Sequence, residues 1–180
     1  MNKKISQIAI FAALIIVFQI IATFINIGSF PITLTLIPII VAGCVYGEKI
    51  GALMGLVFGI IVIVMVITGA DPNGLVMFVS NPLATTLACL TKGILCGYIS
   101  ALIYKVLNKK NQKIAVIISA ISCPIINTFV FSIFLLLFFD SNISSLIGLF
   151  LSFNFVIELL INVLIAPRII HLIKRGKERY

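Results

Sequence analysis

The stretch PLATTLACLTKGILCGYISALIY (82–104) decides the fold, because it is long enough to cross a bilayer and carries one lysine, Lys92, near its middle. With a helical rise of about 1.5 Å per residue, Lys92 sits on the order of 15 Å from either end, too deep to snorkel comfortably to a surface. An ammonium at that depth costs about 2.5 to 3.5 kcal/mol or more unless something meets it. The rest of the sequence is read for what surrounds that charge.

Working outward, the whole chain has the composition of a membrane protein. Of its 180 residues 62% are hydrophobic and 10% charged, and the mean hydropathy is +1.29. A soluble fold of this size must cover its surface with polar groups and has no use for so much apolar side chain. The apolar run that follows Lys3 and Lys4 continues to Ile27 with no A-x-A cleavage pattern, so it reads as a spanning helix and not a signal peptide. The net charge of +8 does not point to nucleic acid, because the cations cluster at the ends of apolar segments as topology determinants do.

Six spans can be drawn in a single membrane domain covering 1–180, at 5–27, 31–46, 50–68, 82–104, 114–139 and 146–173. The second is barely long enough to cross and is interrupted by Pro38, which predicts a helix that is irregular or leans against its neighbours. The segment 69–82 (GADPNGLVMFVSNP) reads as an outer loop with a short apolar turn at its centre. With the N-terminus inside, every Lys and Arg except Lys92 falls on the cytoplasmic side, while the outer loops hold only Asp71 and Asp140. The positive-inside rule therefore places both termini in the cytoplasm. The expected fold class is an all-α integral membrane protein of six transmembrane helices in a bacterial plasma membrane.

Small residues mark close helix contacts. Gly51, Gly55 and Gly59 recur every four positions on the third span, and Gly93, Gly97 and Ala101 do so on the fourth. Such stripes let backbones approach where lipid supplies no hydrophobic drive for association. Ala9 and Ala13, with Ala12 beside them, form a similar pair on the first span and by physics alone would also be internal packing. Cys44, Cys89, Cys96 and Cys123 show no C-x-x-C spacing and read as small packing residues, neither metal ligands nor disulfides.

Depth then sorts the polar residues inside the spans. Asn154, Glu158 and Asn162 are spaced by four on one face of the sixth span, and Asn127 lies one turn from Cys123 and Pro124 on the fifth. Counting turns puts Lys92, Asn127, Asn154 and Glu158 in one layer. That layer has two compatible readings: a structural Lys92–Glu158 ion pair flanked by asparagines, or a binding site opening outward, with Lys92 available to a ligand carboxylate. Enzyme chemistry is not expected. The single histidine, His171, sits at a cytoplasmic end, and there is neither an H-E-x-x-H motif nor a Walker A sequence, so ATP hydrolysis would have to come from another chain. No cofactor is expected.

Three segments, ITLTLIPIIVAGCVYGEKIGALMGLVFGI (32–60), NPLATTLACLTKGILCGYISALIYK (81–105) and NFVIELLINVLIAP (154–167), resemble the substrate-binding S components of energy-coupling factor (ECF) vitamin transporters. The resemblance spans nearly the whole chain and is strongest toward the pantothenate and riboflavin types. It implies a subunit that captures a water-soluble vitamin from outside and is served by a transmembrane T subunit and two cytoplasmic ATPases. It also implies that Ala9 and Ala13, which match the family's A-x-x-x-A pair, dock on the T subunit. The loops at 28–31 and 69–82 would close over the ligand, making Asp71, Asn73, Phe78 and Asn81 lid or rim residues. Pantothenate is the first expectation, since its carboxylate, amide and hydroxyls would suit Lys92 and asparagines. Riboflavin or another vitamin in the same role, or a self-sufficient small-solute transporter or channel, is the alternative.

Overall fold

A computed structural model describes residues 3–24, 34–139, 141 and 143–178. Among the described residues the chain is all helix: α1 (Lys3–Phe24), α2 (Leu36–Tyr46), α3 (Glu48–Ile67), α4 (Pro72–Ser80), α5 (Pro82–Leu107), α6 (Gln112–Phe138), α7 (Ile143–Leu151) and α8 (Phe153–Glu178). Five of these, α1, α3, α5, α6 and α8, are long and apolar enough to cross a membrane, and α2 is a shorter apolar helix. The fold is that of an all-α membrane protein.

Helix α2 has only 11 residues, about 16 Å of rise. Every residue from Leu36 to Cys44 is buried, as expected of a helix that is hydrophobic all round. It touches α1, α3, α5, α6 and α8, so the short helix lies at the centre of the bundle. Pro38 does not interrupt it, because it falls in the first turn, where its missing N–H has no partner to lose. A single residue, Gly47, joins α2 to α3. Its φ of 100° and ψ of 171° lie in a region open essentially to glycine.

The two glycine stripes meet each other. A Cβ placed on Gly55 would collide with the carbonyl of Gly93, one on Gly93 with that of Gly55, and one on Gly97 with that of Gly51. At the outer end a Cβ on Gly59 would lie 2.7 Å from the carbonyl oxygen of Cys89. Helices α3 and α5 thus run backbone against backbone, and Gly43 brings α2 into the cytoplasmic end of the seam, where an added Cβ would stand 2.8 Å from that of Ala101. Across the same end, Lys105 Nζ and Glu48 Oε1 pair at 2.7 Å.

Two segments differ from the sequence expectation. The outer loop contains a formed helix, α4. Asp71 Oδ1 accepts from Gly74 N at 3.0 Å and Pro72 opens the first turn, a cap-and-proline start that outweighs the loop-like composition. The sixth span is split at Ser152 into α7 and α8. The Ser152 hydroxyl donates to Leu149 O at 2.7 Å and accepts from Phe155 N at 3.3 Å, ending one helix and capping the next. The turn at 28–31 lies outside the described residues.

Replacing Gly55 by Leu should cost about 3 kcal/mol or more, because the backbone of α5 cannot yield. Gly148→Ala, where an added Cβ meets nothing within 4 Å, should be neutral. Thermal unfolding in detergent compares the two, and equal melting temperatures for Gly55→Leu and the parent would refute the seam.

Candidate functional site

The register between α5 and α6 builds the site. Ser119 Oγ on α6 donates to Ser100 O on α5 at 2.8 Å, and one turn outward Cys96 and Cys123 face each other. These antiparallel partners step by four in opposite directions, so the next turn outward sets Lys92 opposite Asn127. Cys44 of α2 closes the base of this column, 3.4 Å from Ser119 Oγ.

The ammonium of Lys92 rests among aromatic rings. Its Nζ lies 4.7 Å from the centroid of Phe131 and 5.9 Å from that of Phe58. Phe58 belongs to α3 beside Gly59, and its 1% exposure shows that the seam holds it fully inside. Phe131 is half-buried and one turn from Asn127 on α6. Neither phenylalanine stands out in the sequence, because 14 phenylalanines spread through apolar spans give no contrast.

Asn127 is buried, and among the described residues nothing hydrogen-bonds its Oδ1. The same holds for Ser132 Oγ, further out on α6, and for Asn162 Oδ1 on α8. Asn162 spends its Nδ2 on Glu158 O, 2.8 Å away, one turn back along its own helix. Buried acceptors without donors are rare in folded proteins and mark places where water or a ligand completes the set. Ser132 escapes sequence reading, since a lone serine in an apolar helix usually bonds its own backbone.

Glu158 is buried on α8 and lies near enough to Cys123 to act on it electrostatically. Among the described residues helix α8 packs on α6, α2 and α7 but not on α5. Long side chains still bridge the two at the cytoplasmic end, where Lys174 Nζ bonds Tyr104 Oη and stands 4.6 Å over its ring. Asn154 lies in the first turn of α8, and its side chain is outside the described set.

The residues expected at the rim have structural duties. Asp71 caps α4 and lies near Cys89, one turn above Lys92. Asn81 caps α5, accepting from Ala84 N at 3.1 Å. Phe78 is a half-buried residue of α4 packed against the hydrophobic core, whereas Asn73 is exposed. On α1, Phe11, Ile15, Gln19 and Ala22 face inward, while Ala9 and Ala13 are exposed. Internal packing is therefore the wrong reading of that alanine pair: the inward stripe is the bulkier one. Gln19, an amide in the middle of an apolar span, is explained by Thr35, whose Oγ1 donates to Gln19 Oε1 at 3.0 Å. Among the described residues no His, Cys, Asp and Glu side chains group in threes that could hold a metal ion.

Comparison with known proteins matches the sequence to a family. Residues 3–170 match the family described as ECF transporter, substrate-specific component. The chain is also 26% identical to the pantothenic acid transporter PanT of Lactococcus lactis subsp. cremoris (strain MG1363), in an alignment of 190 residues covering 97% of this chain and 95% of that protein. No solved structure matched. With a family match over nearly its whole length and apolar spanning helices to carry it, this multi-pass protein of the cell membrane belongs to the substrate-specific components of ECF transporters.

Proposed function

We propose that this chain captures pantothenate from the outside and delivers it through a T subunit and two cytoplasmic ATPases. The observation that carries this reading is the Lys92 ammonium opposite the undonated oxygen of Asn127, between α5 and α6. One is a half-buried cation set against aromatic rings; the other is an acceptor in need of a donor. Pantothenate offers a carboxylate to the first, and an amide N–H and hydroxyls to acceptors of the second kind. The likeness to a pantothenic acid transporter supports the same choice. Riboflavin carries no carboxylate to offer the ammonium. In this reading Glu158 balances the charge of the layer, Asn154 joins it from α8, and Asp71, Phe78 and Asn81 form the rim from which α4 covers the ligand.

The exposed pair Ala9 and Ala13 leaves a shallow strip along α1 on which a helix of the T subunit can pack closely. The chain does no chemistry of its own in this scheme. Its work is differential affinity, and the free energy for uphill transport comes from the ATPases.

Two experiments test the scheme. Native mass spectrometry of protein purified from pantothenate-fed cells should show one bound vitamin per chain; an empty subunit that also never co-purifies with a T subunit and ATPases would overturn it. The double variant Ala9→Trp, Ala13→Trp should abolish cellular uptake while the purified subunit keeps its vitamin affinity within about twofold, a change of under 1 kcal/mol. Normal uptake by that variant would remove α1 from the docking surface.

A further inference from the structure

We infer that Phe131 is a positioning residue for Lys92, holding its ammonium toward α6 as a charged, donor-rich surface for a ligand carboxylate. This deepens the reading of Lys92 given above and rests on it. A lysine has a flexible four-carbon stem and three rotatable N–H donors, so its position is not set by its own helix. Here two rings set it. Phe58 is locked in the α3–α5 seam and touches from 5.9 Å, near the limit of the interaction, whereas Phe131 stands at 4.7 Å. Phe131 is also one turn from Asn127, so the ring that attracts the cation draws it toward the helix that carries the undonated amide oxygen.

The choice of a ring has a chemical consequence. A carboxylate in the position of Phe131 would neutralise the ammonium, occupy its N–H donors and compete with an anionic ligand. An aromatic face stabilises the charge through its quadrupole, more strongly where water is excluded, and consumes no hydrogen-bond donor. A ring in that place therefore leaves the N–H groups of Lys92 to the ligand. Phe131 is half-buried where Phe58 is fully enclosed, so of the two rings it is the one able to adjust when a ligand enters.

The test titrates the purified full chain with pantothenate and with panthenol, the neutral analogue in which an alcohol replaces the carboxylate. Phe131→Leu keeps the apolar bulk without the quadrupole, Phe131→Met serves should the leucine variant fail to fold, and Phe131→Tyr restores the ring. The expected result is a loss of about tenfold or more in pantothenate affinity for the Leu or Met variant, with panthenol changed by less than about twofold and the Tyr variant within about threefold of the parent. Equal weakening of both ligands would make Phe131 a packing residue, and no weakening of either would leave it without a role; both outcomes overturn the inference. Lys92→Met in the same series separates the two levels. If it preserves pantothenate affinity, the carboxylate reading of Lys92 falls first and the role of Phe131 falls with it. If it abolishes the preference for pantothenate over panthenol while Phe131→Leu does not, only the role of Phe131 is lost.

Discussion

The backbone contact between α3 and α5 is the constraint on which the rest of this structure depends. Lipid offers apolar side chains no reason to leave it for one another, so helices in a membrane associate where they can approach closely. Gly51, Gly55 and Gly59 against Gly93 and Gly97 provide that approach, and the carbonyls fill the space that side chains would need. Helix α5 is thereby fixed in height and rotation. Lys92 adjoins Gly93 and Phe58 adjoins Gly59, so the contact that packs the helices also delivers the ammonium to its first aromatic neighbour.

The remaining helices are arranged around that pair. Helix α2, too short to span, is covered on every side and ends in a one-residue turn that starts α3. Helix α6 is keyed to α5 by Ser119 and Ser100, which sets Asn127 across from Lys92. Helix α8 joins through α6 and α2, leaving it apart from α5 except where Lys174 reaches Tyr104. Among the described residues α5 and α8 do not pack directly, and the polar side chains Asn127 and Glu158 stand on the helices beside that gap in the packing.

Much of this was legible in the sequence, and the exceptions have physical causes. Stripes of glycine at a spacing of four announce close packing, though not which stripe meets which. Turn counting places Lys92 and Asn127 at one depth, because α5 starts and α6 ends near the same outer surface. Helix α4 was hidden by a composition rich in turn formers, although Asp71 and Pro72 form a proper helix start. The break at Ser152 was hidden for the opposite reason, since a serine inside an apolar run seldom stops a helix. Ala9 and Ala13 looked like interior residues because small size alone does not say which side of a helix faces the bundle; the neighbouring stripe Phe11, Ile15, Gln19 and Ala22 does. The aromatic surroundings of Lys92 could not be read, since phenylalanine is as suited to lipid as to a cation.

The central claim is that the seam presents Lys92 between α5 and α6 as the anchor of an anionic vitamin. A structure of the full chain in lipid with pantothenate bound tests it most directly. The expected result is a ligand carboxylate about 2.7–2.9 Å from Lys92 Nζ, on the α6 side of the bundle and beside Asn127. A vitamin bound elsewhere, with Lys92 still covered by Phe131 and out of reach of any ligand atom, would contradict it.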